Sequence, residues 1–178
     1  MQKVSQIEII VVGDPEAGKT SFLKALIYDE FSLVYRATVI YDKFETKILL
    51  ESGEEIQVVF HDFSGQPIYS VFLSKLIGKI DHQGCLIVTD VMNPHSLSSV
   101  SFWVDYFRRK DILDQNIIVL LSKVDFDNKT QDNVQNIKNF MSEIEYQGGL
   151  VPINTRKKQG LSDVVKKIES IYEISRRD

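Results

Sequence analysis

The sequence predicts an α/β fold of three layers, with a six-stranded, mostly parallel sheet, one antiparallel edge strand and about five helices. Three observations carry that expectation. Short aliphatic runs alternate along the chain with stretches of helical spacing. One hairpin signal lies early, at Ser52-Gly53-Glu54. The first aliphatic run leads straight into Gly13-Asp-Pro-Glu-Ala-Gly-Lys-Thr20, which fits the pattern G-x-x-x-x-G-K-[ST] at Gly13, Gly18, Lys19 and Thr20.

Taken in order, Ile7 to Val12 is nearly continuous Ile and Val, as expected of a strand buried on both faces. A helix from Gly18 to about Asp29 turns Phe22, Ala25 and Leu26 inward, and its spacing fades near Phe31. A polar and aromatic segment, Phe31 to Tyr41, leads into two strands, Lys43 to Glu51 and Glu55 to Asp62. A Gly-containing loop, Phe63 to Ser70, precedes a short apolar helix near Val71 to Ile77. Cys85 to Thr89 is the next buried strand, and His95 to Lys110 repeats Leu97, Val100, Val104 and Phe107 at helical spacing. Ile117 to Leu121 is a strand, Gln131 to Glu145 a polar helix and Leu150 to Ile153 a last brief strand. Leu161, Val164, Val165, Ile168, Ile171 and Tyr172 mark a final amphipathic helix.

At 178 residues and 43% hydrophobic content, one sizeable core and a single domain over 1–178 are expected. The formal charge, 21 − 25 = −4, argues against a general nucleic-acid binder. Cys85 has no second cysteine to pair with, and no leader or bilayer-length apolar run is evident, so a cytoplasmic setting is expected. Gln2 and the final Ile-Ser-Arg-Arg-Asp offer no acceptor for a myristoyl or prenyl chain, so no intrinsic membrane anchor is expected.

The chemistry is expected at the carboxyl ends of the strands. The glycines let the chain wrap closely, and the helix that follows aims unpaired N–H groups and the positive end of its dipole at an anion. Glu16, Ala17, Gly18, Lys19, Thr20 and Ser21 would surround a polyphosphate. Lys19 brings a cation to the outer phosphates and Thr20 a hydroxyl to Mg²⁺. Asp62-Phe-Ser-Gly-Gln66 places an acid where it can hold Mg²⁺, a backbone N–H at Gly65 for the terminal phosphate, and in Gln66 an amide able to orient water. In Ser122-Lys-Val-Asp125, a base can lie on the stem of Lys123, while Asp125 offers two acceptor oxygens that match guanine and repel adenine.

In this order and spacing the set resembles the Ras superfamily of small GTPases, Rab- or Ras-like, a P-loop NTPase domain covering essentially the whole chain. The resemblance implies that Thr38 completes the Mg²⁺ shell when GTP is bound, that Phe31 packs edge-on against guanine and that Tyr35 covers the phosphates. It also implies that Asn154-Thr-Arg156 stands where the family has Ser-Ala-Lys, with a backbone N–H near Thr155 reaching the guanine carbonyl. Catalysis would rest on Gln66 and Lys19, metal binding on Thr20, Thr38 and Asp62. Effector, exchange-factor and activating proteins are the implied partners of a monomeric switch. A GTP-binding subunit with little turnover, and an ATP-using P-loop enzyme, stand as the alternatives.

Departures from the family pattern set further expectations. Ser122 replaces an Asn, and losing that amide's tie to the phosphate loop should cost about 0.5 to 1.5 kcal/mol of nucleotide affinity. Pro15 adds bulk where an activating arginine would enter, Glu16 is expected to turn to solvent, and Pro67 and His61 replace the Glu and Trp of Rab-type sequences. His61, His82 and His95 read as surface or strand-end residues, Cys85 as a buried thiol, and Trp103 and Tyr106 as packing residues. Ile68, Tyr69, Phe72 and Leu73 follow the Gln66 loop and have two open readings, an exposed partner surface or core packing.

Overall fold

Ile7, Ile9 and Val11 face one side of the first strand and Ile10 and Val12 the other, and all five are fully or almost fully buried. A strand apolar on both faces needs a layer over each, and the chain supplies it. The computed structural model describes residues 5–34, 36–66, 70–125 and 128–176. Its strands are β1 (Gln6–Val12), β2 (Tyr41–Leu49), β3 (Glu55–Phe63), β4 (Gly84–Asp90), β5 (Ile117–Ser122) and β6 (Gly149–Pro152). Its helices are α1 (Lys19–Tyr28), α2 (Ser70–Ile77), α3 (Ser96–Arg108), α4 (Asn128–Glu143) and α5 (Leu161–Ser175).

The sheet order is β2-β3-β1-β4-β5-β6. Only β2 with β3 is antiparallel, so the predicted hairpin forms the one antiparallel edge of a sheet otherwise parallel. On one face, Phe22 and Leu23 of α1 and Val164, Ile168 and Ile171 of α5 pack against Ile7, Ile9, Val58 and Phe60. On the other, Leu73 and Ile77 of α2, Val100, Val104 and Phe107 of α3, and Val134, Ile137 and Met141 of α4 cover Ile10, Ile87 and Val119. Cys85 is buried in the latter layer, where desolvation holds its thiol in the neutral form.

Predicted elements recur with shifted ends. β2 begins at Tyr41 because that residue pairs with Phe63 across the hairpin, and it stops at Leu49 because Leu50 N–H donates to Glu54 O at 2.9 Å to close the turn. One expectation fails: His61 is neither on the surface nor at a strand end. It lies buried within β3, between Tyr41, whose hydroxyl is 3.1 Å from Nδ1 and whose ring stacks on it, and the carboxylate of Glu8 at Nε2. A polar central-strand residue, Glu8, gives the imidazole a partner that apolar neighbours could not. Trp103 and Tyr106 pack edge-to-face beside Phe107 as expected.

Because β1 leads through α1 toward one edge of the sheet and β3 through α2 toward the other, a crevice opens at the carboxyl ends of the central strands. The Gly13–Thr20 loop, the segment after β3 and the loops after β5 and β6 meet there.

Candidate functional site

The loop after β1 is shaped by backbone that favours glycine at two points. Gly13 has φ 138° and passes so close to β4 that a Cβ would lie 2.0 Å from Val88 O. Gly18, at φ 96°, is the N-cap of α1, and no side chain caps that helix. The uncapped first turn presents backbone N–H groups to the crevice. Glu16 holds a positive φ of 60° without being glycine, and its side chain is exposed, as expected.

Lys19 is buried, 6% exposed, and its Nζ donates to Gly13 O at 3.0 Å and Asp14 O at 2.8 Å, so the loop is closed around its own cation. Burial pushes its pKa down to about 8, against the pull of the Asp62 and Asp14 charges. Asp14 is anchored in turn, accepting from Ser99 Oγ at 2.7 Å and Asn93 Nδ2 at 3.3 Å, which ties the phosphate-loop geometry to α3 and the turn before it.

Thr20, Thr38 and Asp62 converge beside Lys19. Thr20 Oγ1 donates to Asp62 Oδ2 at 2.5 Å and lies 3.0 Å from Thr38 Oγ1, which is itself 3.4 Å from Asp62 Oδ2. Asp62 is fully buried and its Oδ1 has no partner among the described residues. Burial pushes its carboxyl up to about 6, opposed by the Thr20 hydrogen bond and the Lys19 charge. Two hydroxyls and a carboxylate whose Oδ1 is buried and unpartnered among the described residues form an all-oxygen donor set that suits Mg²⁺, a small hard cation. Among the described residues no group of three or more His, Cys, Asp or Glu is placed to hold a metal ion.

Gly65 runs against the phosphate loop so tightly that a Cβ would sit 2.4 Å from Asp14 C and Pro15 N. That approach requires glycine and holds the backbone after β3 at the same mouth. Gln66 follows, partly exposed and lining the crevice.

At the other end, Ser122 ends β5 and is 2% exposed. The expected loss of its tie to the phosphate loop is not what the structure has. Ser122 Oγ lies 2.6 Å from Ala17 O and 3.0 Å from Thr89 O, so the shorter side chain makes that contact because the two loops stand close enough for a hydroxyl to bridge. Lys123, at φ 59°, pairs with Asp90 at 2.7 Å. Asp125 Oδ1 accepts from Asn154 Nδ2 at 3.1 Å and Lys157 Nζ at 3.3 Å, and its side chain remains 57% exposed. Asn154 is buried; its amide also donates to Val124 O at 2.9 Å, and its Oδ1 accepts Lys157 N–H at 2.9 Å. That side chain therefore braces the Asp125 loop, leaving Thr155 and Arg156 to line the opening.

One cavity of about 920 Å³ joins these parts. Glu16, Ala17, Gly18, Lys19, Thr20, Ser21, Phe31, Thr38, Gly65, Gln66, Ser122, Lys123, Asp125, Asn154, Thr155 and Arg156 all line it, with Asp62 buried behind the threonines. Tyr35, Pro67, Ile68 and Tyr69 lie outside the described residues. Of the undecided pair on α2, Leu73 is buried and Phe72 is 50% exposed. Sequence reasoning missed Lys24 and Arg36, which also line the cavity. The available signals were modest: Lys24 is one helical turn after Thr20, and Arg36 is the cation two residues before Thr38.

A six-stranded sheet in this order, with a glycine-shaped loop opening α1 into such a cavity, defines a Ras-like P-loop GTPase fold. The model of the Ras family matches residues 8–170, and the chain belongs to that family. It is 30% identical over 135 residues to the Ras-related protein Rab7 of Drosophila melanogaster, covering 72% of this chain and 62% of the relative. It is 25% identical over 179 residues to the Ypt/Rab-type GTPase ypt7 of Pyricularia oryzae, covering 97% of this chain and 81% of that one. It is also 29% identical over 123 residues to the mouse Ras-related protein Rab-44, covering 69% of this chain but spanning only 12% of the relative's length.

Proposed function

We propose that the chain is a single-domain small GTPase, monomeric and cytoplasmic, that binds GTP and GDP with Mg²⁺ and hydrolyses GTP slowly. The observation that carries this reading is one cavity with Lys19, the Thr20, Thr38 and Asp62 donor set and Gln66 at one end, and Asp125 at the other. Asp125 keeps an exposed carboxylate for the ring N–H and exocyclic amine of guanine, which adenine does not present together. Phe31, Lys123, Thr155 and Arg156 would flank the base, and the free N–H groups of the first turn of α1 would hold the phosphates.

Thr20, Thr38 and Asp62 would hold Mg²⁺, which neutralises charge on the outer phosphates. Gln66 orients a water whose oxygen forms a bond to the terminal phosphorus as the bond from that phosphorus to the bridging oxygen breaks. The bridging oxygen leaves with the electron pair as GDP, and the water proton passes to the released phosphate. Contacts of Thr38 and Gly65 with the terminal phosphate would order segments 31–41 and 63–70, and their loss would release them toward effector, exchange-factor and activating partners.

A second reading, nucleotide binding without turnover, is favoured by Pro15 and Glu16 at the cavity mouth. Calorimetric titration with GTP, GDP and ATP in Mg²⁺ tests the first claim: guanine nucleotides should bind and ATP should not compete. Single-turnover phosphate release then separates the readings. Gln66→Leu should slow it; equal rates for the two proteins would leave the binding-only reading.

A further inference from the structure

The phosphate end of the cavity holds one buried cation, Lys19, and that cation already donates to Gly13 O and Asp14 O at 3.0 and 2.8 Å. The same loop adds a negative charge at Glu16. A triphosphate brings more negative charge than a diphosphate, and the excess sits on its terminal group. A second cation near Thr38 would therefore act on the one part of the nucleotide that changes between the two states.

Arg36 occupies that place. It lines the cavity, is exposed, and has no hydrogen-bond or ion-pair partner among the described residues. It lies two residues before Thr38, so the two Cα atoms are within about 7 Å of one another. Thr38 Oγ1 in turn is 3.0 Å from Thr20 Oγ1 at the start of α1. The other cations in the cavity are placed differently. Lys123 is paired with Asp90 at 2.7 Å, Arg156 follows Thr155 at the base end, and Lys24 belongs to α1 itself. Arg36 alone among them shares its loop with Thr38, and a guanidinium can give two parallel N–H bonds to one phosphate.

Resting on the GTPase reading above, we infer that Arg36 binds the terminal phosphate and sets the preference of this chain for triphosphate over diphosphate. Its fork donates to terminal-phosphate oxygens, pulling the Thr38 loop over the nucleotide when that group is present. Once the group has left, the loop loses this contact. Pro15 lines the same cavity.

The test measures affinities of the full chain for GDP and for a non-hydrolysable GTP analogue, both with Mg²⁺, in the wild type, Arg36→Ala and Arg36→Lys. Arg36→Ala should weaken the triphosphate analogue about tenfold or more while changing GDP by less than about twofold. Arg36→Lys should fall between, since charge remains and the fork is lost. A triphosphate-to-diphosphate ratio equal in all three proteins, or a parallel loss for both nucleotides, overturns the inference. Those results leave the GTPase reading standing; a wild type that binds neither nucleotide overturns both.

Discussion

Ser122→Ala is the substitution whose consequence the structure specifies most closely. The hydroxyl is 2% exposed and within reach of two carbonyls, Ala17 O at 2.6 Å and Thr89 O at 3.0 Å, but it has a single proton to give. Alanine removes one hydrogen bond, worth about 0.5 to 1.5 kcal/mol net, and leaves a buried Ala17 carbonyl without that donor, at about 1 to 3 kcal/mol if nothing else reaches it. The loss overlaps these ranges, so about 1 to 2 kcal/mol of fold stability should go, or roughly 2 to 8 °C in Tm for a chain of this size. Because the bond joins the base-end loop to the phosphate loop across 105 residues of sequence, nucleotide retention should suffer too. Fluorescent GDP should dissociate about five- to tenfold faster, a factor equivalent to about 1 kcal/mol. Thermal unfolding of the nucleotide-free protein and a GDP displacement assay measure the two effects. An unchanged Tm together with an unchanged release rate would refute the claim that the hydroxyl bridges the loops.

Two further outcomes follow from the same geometry. Gly65→Ala puts a Cβ 2.4 Å from backbone atoms of Asp14 and Pro15, so the segment after β3 must retreat; binding of a GTP analogue should weaken about tenfold or more, measured by calorimetry, with GDP less affected. Asp62, pushed up to about 6 by burial, makes the metal-free fold bind a proton more tightly than the unfolded chain. Its contribution therefore favours the fold below its ordinary carboxyl pKa and is lost as pH rises through about 6, while the Mg²⁺ proposed for this site would have to displace the proton below that value. Lys19, pushed down to about 8, loses its charge above that pH. Mg²⁺-dependent nucleotide affinity should thus be highest between about pH 6 and 8 and fall on either side, and a flat profile from pH 5 to 9 would contradict this assignment.

Much of this architecture is legible in the sequence because local pattern and tertiary demand agree. Ile7 to Val12 has one reading, and glycine at Gly13 and Gly18 announces backbone that other residues resist. Agreement ends where a residue's role depends on a distant partner. Nothing near His61 in sequence shows that Glu8 waits on the neighbouring strand, so a buried histidine reads as a strand-end one. Ser122 reads as a lost interaction because the gap to Ala17, which a hydroxyl spans at 2.6 Å, is set by how two loops pack. Asn154 is a comparable case: its place in the base-end loop is visible, whereas the use of its amide to brace Val124 and Asp125 comes only with the turn that brings them together.

The proposed function requires a guanine nucleotide in the cavity between Lys19 and Asp125. Protein purified with Mg²⁺ present, then denatured with acid and its released nucleotide resolved by ion-exchange chromatography, tests this most directly. GDP or GTP in stoichiometric amount is the predicted result. An adenine nucleotide, or none in a preparation that also fails to take up added GDP, would contradict it.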